Sequence, residues 1–302
     1  MKIDVIIPTY RPDEKLDKNL RMLEKQTLTP DRILLVNTEE NLFKSRVFPR
    51  LPQGEIIHIK KNQFDHGGTR NMAAARCDGD FIVLMTQDAI AADERLIENL
   101  IRPFEDEKVA VSYGRQMADH RDNPVEAYTR RFNYPKESRV KSREDLPGLG
   151  VKTFFCSNVC SAYRKSVYDA MGGFPLHTIF NEDMIFAGKL IEAGWKIAYA
   201  ADARVWHWHN YTAKEQLKRN FDLAVSQVDA GGLFKTVKSE SEGIRLVKST
   251  LAHFIRKKAW RLVPHILVQS GAKYIGYKLG QHYKGLPLWL IRRISLNPSY
   301  WN

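Results

Sequence analysis

Several side chains capable of chemistry fall where the sequence pattern changes. Asp88 closes the stretch Asp80–Ala89, DFIVLMTQDA, in which an apolar run ends abruptly at Thr86, Gln87 and Asp88. Ligands of open α/β sheets bind beyond the carboxyl ends of strands, so an acid there is placed for a metal ion or a reacting group. The plainer alternative is a cap for the next helix. Asn181-Glu182-Asp183 sets two adjacent carboxylates at the start of a helical stretch. The helix dipole favours acids there, and one of them is also suited to general-base work. Trp206-His207-Trp208-His209 follows a strand-like run, and in extended backbone the two imidazoles share a face. Imidazole is a common metal ligand, although a core histidine is the plainer reading.

Two further stretches suit a nucleotide. FDHGGTRN, Phe64–Asn71, combines Gly67 and Gly68 with Asp65, His66, Arg70 and Asn71. The glycines allow close backbone approach, and the helix that follows directs its first amides at whatever binds there. Arg70 is suited to a forked contact with a base carbonyl or a phosphate. The stretch lacks the Gly-Lys-Ser/Thr of a P-loop and the Gly-x-Gly-x-x-Gly of a dinucleotide site. IIPTY puts Pro8, Thr9 and Tyr10 at the tip of the first strand, where they can hydrogen-bond or stack against a base.

The elements that must hold these groups alternate. Strands are expected at 3–8, 32–36, 55–59, 81–85 and 109–113, and helices at 15–23, 68–76 and 93–101. This alternation predicts a parallel or mostly parallel sheet with helices on both faces. Residues 119–150 are polar and charged and predict a long functional or mobile loop region. Short strands are expected at 154–157 and 161–164, helices at 166–171 and 182–193, strands at 195–200 and 203–208, and a helix at 214–228. Beyond it, Ile244, Val247, Leu251, Phe254 and Ile255 form an apolar helical face opposite Arg245, Lys248, Arg256 and Lys257.

Charge is unevenly placed. The 302-residue chain carries a net +12, of which residues 243–302 contribute +11 through eleven Lys or Arg and no acid. A basic, amphipathic tail ending in LPLWLIRRISLNPSYW predicts an anionic partner and suits a membrane surface. Packing of its apolar face on the main domain is the alternative. The charge does not coincide with a nucleic-acid-binding module, which argues against a nucleic-acid partner. Cys77, Cys156 and Cys160 have neither disulfide-framework nor zinc-type spacing and read as free thiols. No long apolar leader opens the chain and no uncharged run is long enough to span a membrane.

Taken in order, IIPTY, GGTRN, GDFIVLMTQD, GGFP with NED, and the late histidines resemble an inverting family 2 glycosyltransferase over about residues 1–215. FDHGGTRN, TQDA and NEDMIFAGKLIEAGWKIAY are similar to its bacterial rhamnosyltransferase branch. The resemblance implies a GT-A nucleotide-sugar-binding fold over 1–215; the charge and apolar spacing predict a basic helical extension over 216–302. It implies dTDP-L-rhamnose as donor, a lipid-linked or polysaccharide acceptor, and a cytoplasmic enzyme peripheral to the inner membrane face. Asp183 would be the catalytic base. Asp88 with His207 or His209 would hold Mg²⁺ or Mn²⁺. Pro8, Thr9, Tyr10, Asn37, Asp65, His66, Gly68, Arg70, Gln87, Asn158 and Glu182 would bind substrates. Two positions depart from the pattern: Thr86 stands where the first acid of Asp-x-Asp is usual, and Asn37 where an Asp usually reads the base. The same fold with a UDP-hexose donor, and a catalytically silent sugar-nucleotide binder, are the alternatives.

Overall fold

The computed structural model describes residues 1–118, 123–235 and 240–301. By contact they fall into two units, one of residues 1–118, 133–177 and 182–208, the other of 123–132, 178–181 and 209 onward.

The first unit is built on a sheet of β1 (Ile3–Tyr10), β2 (Arg32–Thr38), β3 (Gly54–Ile59), β4 (Phe81–Met85), β5 (Ile90–Ala91), β6 (Val109–Met117), β7 (Arg139–Lys141), β8 (Cys160–Arg164) and β9 (Lys196–Trp206). Their order is β3-β2-β1-β4-β8-β6-β9-β5, with β7 also on β9. β1, β2, β3 and β4 run parallel, as does β6 with β9. β8 is antiparallel to both β4 and β6, and β5 and β7 are antiparallel to β9. The sheet is therefore mixed, not mostly parallel. A buried apolar run such as Phe81–Met85, every residue of which is buried, reads alike whichever way its neighbour points.

The helices are α1 (Glu14–Glu24), α2 (His66–Ala74), α3 (Leu96–Ile101), α4 (Pro124–Asn133), α5 (Leu146–Leu149), α6 (Lys165–Ala170), α7 (Glu182–Glu192), α8 (Ala213–Asp229), α9 (Gly232–Lys235), α10 (Glu240–Arg256), α11 (Val263–Gln281) and α12 (Leu288–Ile294). Four expectations change. α2 begins at His66, because Asp65 caps it through Gly68 N at 2.6 Å, so both glycines lie inside its first turn. An added Cβ at Gly67 would meet Pro175 O at 1.9 Å, so a side chain is excluded there. The region 119–150, expected as a loop, instead carries α4, β7 and α5; its residues 119–122 lie outside the described ones. Residues 150–154 form a 3₁₀ turn where a strand was expected from Phe154. The strand β9 is continuous and stops at Trp206, so His207 and His209 lie beyond it rather than on one strand face.

On β7, Lys141 is only 4% exposed. Its ammonium donates to Lys152 O at 3.0 Å and Phe155 O at 2.5 Å and stands 4.9 Å from the Tyr113 ring centre. Burial pushes it down to about 7. The three cysteines are free and buried.

The second unit is helical. α8 and α11 lie so close that an added Cβ at Gly276 would meet Leu217 O at 2.1 Å, and one at Gly280 would meet Phe221 O at 2.4 Å. Ile179, Phe221, Val225 and Ile291 form its small core. α11 buries Ile266, Gly276 and Gly280 but leaves Leu267, Val268, Tyr274 and Ile275 exposed. No helix among the described residues is long and apolar enough to cross a membrane.

Candidate active site

The site groups of the first unit sit at the ends of β1, β4 and β9 and at the N-termini of α2 and α7. Asp183, in the first turn of α7, is held from two sides. Asn158 N donates to its Oδ2 at 2.9 Å and Met184 N to its Oδ1 at 2.7 Å. Those bonds favour the carboxylate, yet burial and the adjacent Glu182 charge outweigh them and raise Asp183 to about 7. An acid half-ionised near neutral pH and held in one orientation is matched to taking a proton from a hydroxyl.

Glu182 is equally buried but settles the opposite way. Burial opposes its charge, but Arg70, His66 and the Asn158 amide hold it below the usual glutamate range. Arg70 Nη1 lies 3.3 Å from Glu182 Oε1, both side chains being 8% exposed. Asn158 Nδ2 donates to the same oxygen at 3.2 Å. Asn158 thus touches both acids, with its amide on one and its backbone on the other. Arg70 also donates to His66 O at 2.8 Å, so its guanidinium faces the Glu182 carboxylate inside the fold. Sequence reading assigned Arg70 to a nucleotide and missed this pair, whose members lie far apart along the chain. Asn71 clamps the Gly-Gly-Phe turn ahead of α7, donating to Phe174 O and accepting from Phe174 N, both at 2.9 Å.

The strand tips form a second cluster. Thr9 Oγ1 donates to Asn37 Oδ1 at 3.0 Å, and Asn37 Nδ2 meets Glu39 O and His58 Nδ1 at 3.1 Å each. Asn37 is fully buried by these contacts. Tyr10 N donates to Gln87 Oε1 at 2.8 Å and Gln87 Nε2 returns a bond to Tyr10 O at 3.1 Å. Gln87 therefore latches β1 to the turn that carries Asp88, while the Tyr10 side chain stays exposed. Pro8 belongs to β1, half-buried.

Asp88 Oδ1 stands 3.6 Å from His207 Nε2. That is longer than a hydrogen bond and suits two ligands of one cation. The ring is oriented by Gln116, which sequence reading missed. Gln116 Nε2 donates to Tyr134 Oη at 2.6 Å and Ser157 Oγ at 2.9 Å, leaving Oε1 to accept from His207 Nδ1 at 3.0 Å. Nδ1 thus carries the proton and Nε2 offers its lone pair toward Asp88, the tautomer a metal needs. One donor atom from each of Asp88, His207 and His209 lies within 4.8 Å of the others. One carboxylate and two imidazoles offer one oxygen and two nitrogen donors to a divalent cation. The Thr86 hydroxyl is buried and has no hydrogen-bond partner among the described residues.

Comparisons with known proteins bear on the family and the fold. The family described as "Glycosyltransferase like family 2" matches residues 2–222. The chain is 42% identical to O-antigen chain rhamnosyltransferase RfbN of Salmonella typhimurium, over 100% of this chain and 96% of that protein. It is 40% identical to O-antigen chain rhamnosyltransferase WbaN of Salmonella anatum, over 99% and 95%. Among solved structures it is similar to the mannosyltransferase PcManGT of Pyrobaculum calidifontis in complex with GDP-Man and Mn²⁺. The TM-score is 0.58 at 12% identity, over 94% of this chain and 88% of that one. TarS 1-349 of S. aureus gives a TM-score of 0.53 at 15% identity, over 95% and 92%. These likenesses establish a GT-A-like fold with a mixed sheet.

Proposed function

The chain belongs to glycosyltransferase-like family 2, and from that premise we propose that it moves L-rhamnose from dTDP-L-rhamnose to a hydroxyl of a lipid-linked cell-surface glycan, with inversion. The sugar is supported by full-length likeness to two O-antigen chain rhamnosyltransferases. The observation that carries the chemistry is Asp183, buried, raised to about 7 and fixed by two backbone N–H groups.

In this reading Asp183 accepts the proton of the acceptor hydroxyl as that oxygen attacks the anomeric carbon. The bond from that carbon to the donor diphosphate breaks on the opposite face. Asp88, His207 and His209 would hold Mg²⁺ or Mn²⁺, which when bound offsets the charge of the leaving diphosphate. Gln116 keeps His207 in the ligating tautomer. Pro8, Thr9, Tyr10 and Asn37 at the tip of β1 and β2, with Asp65, His66 and Gly68 at the start of α2, form the donor cradle. Residues 1–215 act as the catalytic domain. The basic segment 216–302 holds the enzyme at the anionic inner face of the cell membrane, through electrostatic attraction and its exposed apolar side chains.

A panel of dTDP-L-rhamnose, UDP-glucose, UDP-galactose and UDP-N-acetylglucosamine, read by nucleotide release with and without divalent metal, tests the proposal. Preferred turnover of a UDP-hexose would overturn the donor assignment, and no turnover of any donor would indicate a silent binder. The state of Asp183 gives a second check. Glu182→Gln removes the neighbouring negative charge, so Asp183 will ionise more readily. The acid limb of the kcat/KM profile is then expected to move down by about one pH unit. A limb that stays in place would show that Glu182 does not set the base.

A further inference from the structure

Within the first unit, three consecutive residues touch both the metal ligands and the acids. Residues 157–159 form a turn, closed by Cys160 N donating to Ser157 O at 3.3 Å, that leads directly into β8. β8 is antiparallel to β4, with Cys160 opposite Met85, so the turn stands where β4 gives way to Thr86, Gln87 and Asp88. Val159 O accepts from Thr86 N at 3.2 Å, two residues ahead of Asp88. Ser157 Oγ accepts from Gln116 Nε2, and Gln116 in turn orients His207. Asn158 donates to Asp183 through its backbone N and to Glu182 through Nδ2.

Asn158 is held from behind. Ser161 Oγ and Tyr163 Oη both donate to its Oδ1 at 2.9 Å. They are alternate residues of β8 and so share one face of the strand; both are fully buried. Asn158 itself is 3% exposed, and both ends of its amide are engaged inside the fold. Ser157 decides a different orientation. A primary amide nitrogen has two hydrogens, and those of Gln116 go to Ser157 Oγ and Tyr134 Oη. The oxygen, which can only accept, is left for His207 Nδ1. With both acceptors removed the amide can turn over and present N–H to Nδ1. The ring proton then moves to Nε2, the atom that faces Asp88.

We propose that this turn registers the metal ligands against the base. Ser157, together with Tyr134, is a positioning residue for His207, acting through Gln116. Asn158 is a positioning residue for Glu182 and Asp183 rather than a substrate ligand. This rests on the readings of Asp88 and His207 as metal ligands and of Asp183 as the base. A buried turn tied to β4 and β8 then fixes how the metal ligands stand relative to the proton acceptor, which a single displacement requires.

The test uses the full chain, with Mn²⁺ alone as the binding probe, followed by electron paramagnetic resonance, and steady-state transfer as the second readout. Ser157→Ala with Tyr134→Phe is expected to weaken Mn²⁺ binding by about tenfold or more, whereas Ser157→Thr, which keeps the hydroxyl, should stay within about twofold of wild type. Asn158→Ala should lower kcat by about tenfold or more while the donor KM and the Mn²⁺ affinity stay within about twofold. Circular dichroism checks the folds. If the double variant does not fold, its single members replace it. Asn158→Asp, which keeps the acceptor for Ser161 and Tyr163 and removes the donor to Glu182, likewise stands in for Asn158→Ala. Undiminished Mn²⁺ binding by the variants lacking these hydroxyls, beside binding by wild type, would overturn the role of Ser157 and Tyr134. A raised donor KM with kcat unchanged would make Asn158 a substrate ligand and overturn its role. Absence of Mn²⁺ binding by wild type would instead overturn the metal reading and the Ser157 role with it, and the split between kcat and KM would still decide the role of Asn158.

Discussion

Replacing Asp183 by Asn is expected to lower kcat by about 10³-fold, the share of rate that a positioned general base supplies. The substitution keeps the side chain's shape, and an amide oxygen still accepts from one of the two backbone N–H groups that now bind the carboxylate. What disappears is the capacity to take a proton. The wild-type profile gives a companion result. With Asp183 at about 7, the base form accumulates as pH rises through neutrality. Wild-type kcat/KM should climb between about pH 6 and 8, and the Asn variant should lose that climb along with its rate. Steady-state transfer from saturating donor across that range is the measurement; near-normal turnover by the variant would remove Asp183 from the role.

The second large effect concerns Asp88. Asp88→Asn exchanges the single carboxylate of the metal cluster for a weak neutral ligand. Turnover should fall about 10²–10³-fold at a fixed metal concentration, matching several kcal/mol of lost charge stabilisation. Because His207 remains oriented by Gln116, excess Mn²⁺ should recover part of the loss, whereas a fold defect would not respond to metal. Titration of nucleotide release against Mn²⁺, with and without a chelator, measures this. Full chelator-insensitive activity in wild type would contradict the metal role.

The sequence revealed these groups unequally. β1, β2 and β4 were legible because a buried strand needs an unbroken apolar run, and Val5–Ile7, Ile33–Val36 and Phe81–Met85 supply one. Strand direction was not, since β8 reaches β4 from far along the chain and local pattern carries no sign of it. The polar stretch after Gly114 misled for a related reason. α4 has few buried residues and is supported by pairs such as Arg130–Glu126 one turn apart, so its composition resembles a loop. At the site, the types and order of Asp88, Glu182, Asp183 and His207 were visible. Their partners were not. Arg70 against Glu182, and Gln116 against His207, are contacts between distant segments, and neither residue type announces them.

Buried Lys141 has a consequence when set beside Asp183, which appears once protons are counted across folding. The Asp183 carboxyl holds its proton to about 7 in the folded protein, against an ordinary 3.8. Between those values the native state binds the extra proton, so this group's contribution to stability falls as pH rises toward 7. Lys141 loses its proton near 7 when folded, against an ordinary 10.5. Above 7 the unfolded chain binds the extra proton, so the Lys141 contribution rises with pH. The two slopes meet near neutrality. Melting temperature followed across pH should show a trough there, and Lys141→Met should flatten its alkaline side. These two groups make the protein least resistant to unfolding at the acidity where its base is half-ionised.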